Sequence, residues 1–144
     1  MDTAWVEKVT ELQKIKSCLA IRYQVFVEGQ KVPIHEEIDG LDSLCEQYLL
    51  WFNGFPVGTA RVRYIQDSAK IERVAIIETY QKQGLGRMLM LFMLKDIQQH
   101  PQVKRVTLGA QTHAICFYEK LGFTICSEEY LDAGIPHQDM QLYL

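Results

Sequence analysis

The chain has 144 residues, of which 48% are hydrophobic and 23% charged, and it carries a formal net charge of −3. This length and composition predict one folded domain over residues 1–144 and exclude extensive disorder, while the lack of a basic excess disfavours nucleic-acid binding. No apolar run has the length of a membrane span, and residues 1–14 lack the basic and apolar parts of a signal peptide, so we expect a cytoplasmic protein that binds no membrane.

The first half of the chain alternates strand and helix patterns. We predict strands at Ala4–Val9, Glu46–Phe52 and Pro56–Gln66, and an amphipathic helix at Glu11–Val27. The Asn53-Gly54 pair between the second and third strands is a strong hairpin signal, because these residues accept the positive φ angles of a tight turn.

An acidic segment, Glu28–Ser43, separates this helix from the hairpin. Glycine and proline interrupt it, so we predict an irregular loop. Glu36, Glu37 and Asp39 allow two interpretations, a solvated loop or a rim that attracts a cationic amine. The segment lacks the residue order of a calcium loop, and no two of the four cysteines form a Cys-x-x-Cys pair, so we predict no metal site.

The second half of the chain predicts a strand–helix–strand unit followed by shorter elements. Because the helix connects the two strands directly, these strands should lie parallel. The predicted elements are a strand at Lys70–Ile77, a helix from Leu85 to His100, a strand at Val103–Gly109, a helix at Thr112–Leu121, and closing strands at Phe123–Ser127 and Gln138–Leu144.

Within that unit, the glycine-containing turn Gln81–Gly86 joins the first strand to the helix. Glycines let the backbone approach a ligand, and the first N–H groups of a helix have no intrahelical partners, so the turn favours phosphate binding. A tight connection without a ligand is the plain alternative. A dinucleotide fingerprint would need a third glycine where Leu89 stands, and a P-loop would need Lys-Ser/Thr after Gly86, so neither motif fits.

Two stretches of the chain resemble one known superfamily. The spacing Gln81-x-x-Gly84-x-Gly86 resembles the Arg/Gln-x-x-Gly-x-Gly/Ala loop of the GNAT acyltransferases, which use acetyl-coenzyme A. Residues 108–123, LGAQTHAICFYEKLGF, are similar to their second signature block, in which an alanine, here Ala114, precedes a tyrosine, here Tyr118, by four residues. The acidic segment and residues 130–140 further resemble the small bacterial ElaA-like branch.

The resemblance implies a fold and a cofactor site. The fold is α+β, with a mixed, mostly antiparallel central sheet of about six to seven strands, a splayed parallel pair and flanking helices. The pantetheine arm of acetyl-coenzyme A would enter the splay, and the helix start would hold the pyrophosphate. Gln111 stands where many members of the superfamily carry asparagine. The implied cofactor-binding residues are Val74, Ala75, Ile76, Gln81, Lys82, Gln83, Gly84, Leu85, Gly86, Arg87 and Gln111.

The chemistry implied by the resemblance is direct transfer of an acetyl group to a primary amine. Tyr118 matches the superfamily's usual general acid, and a core aromatic is the plain alternative for it. Strand alternation places Glu72 on the face of Val74 and Ile76, so Glu72 is the candidate base. A surface carboxylate without a catalytic role, or a water relay from the acidic segment, is the alternative.

The acceptor is the least determined part of the prediction. Arg22, Glu36, Glu37 and Asp39 are the candidate substrate-binding residues for a small-molecule amine, although Arg22 could equally be an ordinary surface arginine. A protein-lysine acetyltransferase and a non-catalytic acyl-coenzyme A binding module are the alternative functions. The sequence leaves the oligomeric state open, with a homodimer among the options.

Overall fold

The computed structural model describes residues 1–144 and is built around one mixed sheet of eight strands. Their order is β1-β2-β3-β4-β5-β8-β6, with β7 paired to β8, and β4 and β5 form a parallel pair. The strands are β1 (Ala4–Val9), β2 (Glu46–Phe52), β3 (Phe55–Ile65), β4 (Ser68–Ile76), β5 (Arg105–Gln111), β6 (Thr124–Ile125), β7 (Tyr130–Asp132) and β8 (Ile135–Tyr143). The helices are α1 (Leu12–Arg22), α2 (Ile34–Glu37), α3 (Leu85–Ile97) and α4 (Ile115–Glu119).

The predicted α+β fold is confirmed, but the sheet has eight strands rather than six or seven. The additional strand, β7, folds back on β8 through a two-residue turn in which Ala133 and Gly134 have φ angles of 52° and 75°. Turns of this type need positive φ at both central residues, and alanine rarely supplies it. The sequence therefore predicts the last strand too short, from Gln138 instead of Ile135, and it predicts β6 too long.

Helix α1 ends earlier than predicted, at Arg22, and the chain continues through a wider π-helical turn, Tyr23–Gly29. Just beyond this turn, the Gln30 N–H donates to the Val25 carbonyl over 3.1 Å, a five-residue step. The predicted irregular segment contains the single turn of α2 and a 3₁₀ turn at Asp42–Leu44. Wide turns of the π type often occur at functional sites, and this one borders the gap between β4 and β5 that is described below.

Helices cover both faces of the sheet. Helix α3 packs on one face, where its buried side chains meet strand residues such as Tyr48 and Val62. Helix α1 packs on the opposite face, where Cys18 and Ile21 meet Leu49. Each large apolar side chain that is fully buried contributes about 1.5–3 kcal/mol, so these two faces supply most of the stability. None of the helices combines the length and the apolar character that crossing a membrane requires.

The parallel pair β4–β5 separates halfway along its length. Strand β4 pairs with β5 only over Ser68–Ile71. Beyond that point β4 contains one residue more than the facing part of β3, a β-bulge at which Arg73 has a φ of 57°. A bulge bends a strand and increases its twist. The outer half of β4 therefore leaves β5, and a gap opens in the sheet.

Two fully buried arginines, each 0% exposed, tie the acidic segment to the α1 face of the sheet. Arg22 of α1 donates to Glu37 over 2.6 Å and also binds Asp42. Arg61 of β3 donates to Asp39 over 2.6 Å and to Asp42 over 3.0 Å. The acidic segment is therefore neither a free solvated loop nor a strongly anionic rim, because three of its carboxylates are paired with arginine.

These pairs make the stability of the fold sensitive to acid. The hydrogen bond from Arg61 lowers the pKa of Asp39. Burial acts to raise the pKa of Asp42, but hydrogen bonds from Arg22 and Arg61 outweigh it and lower that pKa. A carboxyl group whose pKa is lowered by folding stabilises the native state above its unfolded-state pKa of about 4, and this stabilisation is lost as the pH falls further.

Arg61→Met would leave Asp39 and Asp42 without their shared cation. We expect the free energy of unfolding at about pH 7 to fall by about 3 kcal/mol, because breaking a buried ion pair leaves uncompensated charge. The difference from wild type should shrink below about pH 4, where protonation removes the need for a cation. Urea unfolding followed by circular dichroism at about pH 7 and about pH 3 measures both effects. Arg63→Met, which removes a partly exposed guanidinium, is the control, and an equal loss there would contradict the assignment.

Candidate active site

A cavity of about 700 Å³ occupies the gap between β4 and β5. Phe117 and Tyr118 line it from the α3 face of the sheet, and Val25 and Phe26 line it from the α1 face. The volume is typical of a small-molecule site. A molecule in the gap would therefore contact groups from both faces of the sheet.

The α3 end of the cavity is formed by the glycine-containing turn. Gly84, at the start of α3, has a φ of 80°, and Lys82 has a φ of 64°. The Met88 N–H donates to the Gly84 carbonyl over 3.1 Å at the beginning of the helix. The N–H groups before Met88 lack intrahelical acceptors and lie at the positive end of the helix dipole. This end of the cavity therefore has the geometry and the charge that suit phosphate groups.

The side chains of the turn divide between the cavity and the rest of the protein. Gln81, Lys82 and Arg87 line the cavity. Gly84 and Gly86 line it as well, although they have no side chain. Gln81 also donates to the Ile76 carbonyl over 2.9 Å, which fixes the turn to the end of β4. Leu85 packs in a buried cluster and Gln83 lies outside the cavity lining, so these two could meet a ligand only through backbone N–H groups.

The outer half of β4 forms the long wall of the cavity. Val74, Ala75 and Ile76 all line it, and none of them pairs with β5. Val74 and Ile76 pack toward α3, whereas Ala75 packs toward α1. An unpaired strand edge presents free N–H and C=O groups, so an extended ligand could pair with this backbone as an added strand does.

Glu72 does not lie where simple alternation predicts. The bulge at Arg73 inserts one residue, so Val74 and Ile76 face α3 while Glu72 contacts Arg61 on the α1 face. The predicted shared face is therefore wrong, because strand alternation holds only where no residue is inserted.

The ion pairs of Glu72 also make it a weak base. It accepts a hydrogen bond from Arg63 over 3.2 Å and lies 3.5 Å from the Lys70 ammonium. Burial acts to raise the pKa of Glu72, but the Arg63 hydrogen bond and the charges of Arg61 and Lys70 outweigh it and lower that pKa. A general base works best when its pKa is near the operating pH. Glu72 lines the cavity, yet its environment favours ion pairing over proton abstraction.

Tyr118 lies in the core and also lines the cavity. It is 8% exposed, and its ring is packed against Phe117 and Phe123 at centroid distances of 5.0 and 6.1 Å. Burial, with no hydrogen bond contributing, raises the pKa of Tyr118 to about 12. The phenol therefore keeps its proton at neutral pH, and its unpaired hydroxyl can donate to a leaving group in the gap.

The predicted substrate-binding residues fall into two sets. Glu36 and Glu37 line the cavity, and Glu36 is exposed there without an ion pair. Arg22 and Asp39 lie outside the cavity lining, and Arg22 is completely buried against Glu37 and Asp42. The structure thus removes Arg22 from the substrate-binding set and gives it a structural role beneath the site.

Gln111, at the end of β5, lines the cavity and connects its two walls. Its side-chain amide exchanges hydrogen bonds with Gln30 at 2.9 and 3.1 Å, and its oxygen also accepts from His113 over 2.7 Å. These contacts hold the π-helical turn against β5 on the α1 face. The amide is therefore largely occupied by protein groups.

Among the cavity residues that were not predicted from the sequence are Arg73, Tyr130 and His137. Arg73 sits at the bulge, and a bulge of this kind has no local sequence signal. Tyr130 and His137 face each other across the β7–β8 hairpin, whose turn contains the unusual Ala133. Gly134, which readily takes the positive φ of a tight turn, was a local sequence signal for this hairpin.

Comparison with known proteins identifies the family. A model of the acetyltransferase (GNAT) domain matches residues 26–144. A Bacillus subtilis protein that bears the name of an acetyltransferase is 41% identical over 135 residues, which cover 92% of this chain and 91% of that protein. Escherichia coli ElaA is 34% identical over 134 residues, covering 90% of this chain and 87% of ElaA.

Solved structures show the same relationship. The crystal structure of Escherichia coli ElaA, 30% identical over the structural match, has a TM-score of 0.84 and covers 98% of this chain and 99% of that one. A GNAT acetyltransferase of Elizabethkingia anophelis, crystallised with acetyl-coenzyme A bound, shares the fold at 20% identity, with a TM-score of 0.75 over 98% of each chain. These matches confirm the resemblance drawn from the two signature stretches, and the chain belongs to the GNAT acetyltransferase family, which uses acetyl-coenzyme A.

Proposed function

We propose that the protein transfers an acetyl group from acetyl-coenzyme A directly to the primary amine of a small molecule. The observation that carries this proposal is the cavity at the splayed strands, which connects a phosphate-binding helix start with the opposite face of the sheet. Two substrates that enter from opposite faces can meet in the gap. Direct attack then requires no covalent intermediate on the protein.

Acetyl-coenzyme A would lie along the outer half of β4. The N–H groups of residues 83–87 would hold the pyrophosphate, and Lys82 and Arg87 would neutralise part of its charge. The pantetheine arm would pair with the backbone of Val74–Ile76. Gly86 and Phe117 both line the cavity along the proposed path of acetyl-coenzyme A. The space between them is narrow, since a Cβ on Gly86 would lie 3.4 Å from the Phe117 ring.

The reaction needs a neutral amine, a stabilised oxyanion and a protonated leaving group. The amine attacks the thioester carbonyl, and N–H groups on the unpaired edge of β4 can stabilise the oxyanion that forms. Tyr118 supplies a proton to the departing sulfur, because its buried hydroxyl remains protonated at the pH of the reaction.

The acceptor side of the cavity favours a small cationic amine. Glu36 is unpaired at the cavity rim, whereas Glu37 is neutralised by Arg22. Phe26 of the π-helical turn and Ile135 of the β7–β8 hairpin line this side from two directions. The enclosure leaves room for a small molecule more readily than for the surface of a folded protein.

A panel of amines tests this function. Polyamines, amino sugars, amino acids and lysine-containing peptides are each incubated with acetyl-coenzyme A, and the release of free thiol is followed. Turnover of small amines is the expected result. Turnover of peptides alone would move the activity to protein lysines, and cofactor binding without any turnover would indicate a binding module.

Gly86→Glu should largely abolish binding of acetyl-coenzyme A. The new side chain would place volume and negative charge against the pyrophosphate path, while the helix start tolerates an acidic residue. Calorimetry measures the affinity and circular dichroism checks the fold. Met88→Glu adds the same charge to the same helical turn at an exposed position outside the cavity, so it should bind normally. Normal binding by Gly86→Glu would reduce the turn to a structural connection.

Glu36→Gln should raise the Michaelis constant for a cationic acceptor and leave the affinity for coenzyme A unchanged, because the cofactor enters from the other face. An exposed ion pair is worth up to about 1 kcal/mol, so the expected increase is up to about fivefold. Steady-state kinetics with the best amine of the panel measures it. Glu11→Gln, which removes an exposed carboxylate outside the cavity, is the control. A Michaelis constant equal to that of wild type would place the acceptor elsewhere.

Tyr118→Phe keeps the aromatic ring and its packing but removes the proton donor. We expect the chemical step to slow by about 10²-fold or more, the usual scale of general acid–base catalysis. Affinity for coenzyme A should change little, because the phosphate contacts lie on the glycine-containing turn. Single-turnover kinetics measures the step, with calorimetry beside it. An unchanged chemical rate would exclude Tyr118 as the acid.

A further inference from the structure

His137 of β8 borders the cavity on the face opposite Tyr118. It is 9% exposed and lines the cavity. Met140, three residues further along β8, packs in the core on the α3 face. Because side chains alternate along a strand, His137 lies on the α1 face, where the acceptor would enter. Its neighbour in the β5–β8 register, Gln111, binds Gln30 on that same side.

One hydrogen bond determines the tautomer of this imidazole. The His137 Nδ1 lies 2.7 Å from the Ile135 carbonyl oxygen. A carbonyl oxygen can only accept, so Nδ1 carries the hydrogen. In the neutral ring, Nε2 then has a free lone pair, and no protein group donates to it. Nε2 is therefore the ring nitrogen that can take a proton from a molecule in the cavity.

The position of the ring is also fixed. Tyr130 stacks on His137 with a centroid distance of 5.9 Å and an interplanar angle of 20°. The Tyr130 hydroxyl donates to Asp139 over 2.6 Å. A Cβ on Gly109 would lie 2.7 Å from that hydroxyl, so this arrangement requires glycine on β5. The imidazole is held in place before any substrate binds, as a catalytic group must be.

The other titratable groups of the cavity are less suited to accept a proton. Glu72 is paired with Arg61 and Arg63, and Glu37 is paired with Arg22. Glu36, Asp132 and His113 also line the cavity but are exposed, and Nε2 of His113 is bound to the Gln111 oxygen. His137 is buried, oriented and unpaired at Nε2.

We propose that His137 is the general base of the transfer, a role that rests on the acetyltransferase function proposed above. Nε2 takes the proton that the cationic amine must lose, and the freed nitrogen lone pair then forms the C–N bond to the thioester carbonyl carbon. The C–S bond breaks, its electron pair leaves with sulfur, and the Tyr118 hydroxyl supplies the thiol proton. Solvent takes the second proton from the nitrogen, returns one to Tyr118 and removes one from His137, which leaves an amide, free coenzyme A and unchanged enzyme.

His137→Asn tests this role, because the asparagine amide nitrogen takes the place of Nδ1 and can still donate to Ile135. The substitution removes the proton acceptor at Nε2. Turnover of the best alkyl amine from the panel should fall by about 10²-fold or more. Affinity for coenzyme A and the circular dichroism spectrum should stay unchanged, which excludes misfolding. His100→Asn, outside the cavity in the segment after α3, is the matched control and should keep wild-type turnover.

Hydroxylamine distinguishes a base from a merely structural histidine. It is largely unprotonated at neutral pH, whereas an alkyl amine carries a proton that must be lost before attack. The loss in His137→Asn should be about tenfold smaller with hydroxylamine than with the alkyl amine. Equal losses with both acceptors, or no loss with either, would overturn the base role alone. Absence of turnover by the wild-type protein with every acceptor would overturn the proposed function, and the base role with it.

Nitrogen-15 correlation spectra of the imidazole ring check the tautomer without any turnover. The signals of His137 are assigned by their absence in His137→Asn. In the neutral ring we expect the hydrogen on Nδ1. A hydrogen on Nε2 would overturn the proposal, because that nitrogen would then have no lone pair to accept a proton.

Discussion

The site depends on one inserted residue in β4. Arg73 occupies the left-handed region at a φ of 57°, a conformation that costs about 1 kcal/mol for a residue with a side chain. Its guanidinium Nη2 donates to the Glu37 carbonyl over 3.1 Å, which helps to hold it there. The bulge bends β4 away from β5, and this separation creates the cavity. It also sends Glu72 and Val74 to opposite faces, so a single backbone irregularity decides which side chains face α3 and which meet the arginines that hold the acidic segment.

The buried arginines explain how a charged segment can close over an apolar gap. Arg22 and Arg61 neutralise Glu37, Asp39 and Asp42 at hydrogen-bonding distance, so the segment packs on the sheet without a large net charge. Apolar replacements of equal volume could be as stable, since desolvation offsets much of the attraction in a buried pair. Charged pairs instead specify geometry, because each guanidinium accepts few arrangements of its partners. The result is a fixed cavity wall on which Glu36 keeps an unpaired carboxylate.

Most of the fold could be predicted from the sequence, and the parts that could not share a physical cause. Strands β1 to β5 and helix α3 follow regular periodicity, which a sequence displays directly. Arg73 and Ala133 depart from that periodicity, because each takes a positive φ that is uncommon for a residue with a side chain. The error at Glu72 and the missed β7–β8 hairpin follow from these two residues. Arg22 could not be predicted as buried, since its burial depends on Asp42, twenty residues away, folding back onto α1.

The proposed acid and base are carried by β8 and by the segment that follows β5, and the proposed cofactor path runs along β4. Tyr118 follows β5 through α4, and His137 pairs with the last residue of β5 in the register of β8. Strands β5 and β8 pair along their length, so backbone hydrogen bonds fix His137 beside the end of β5, from which the chain continues to Tyr118 in α4. The thioester would lie along β4, which leaves β5 beyond Ile71. Any change in the splay would therefore move the thioester relative to both proton-transfer groups at once. The bulge that sets the splay would thus also set how far the proposed thioester position lies from the proposed acid and base.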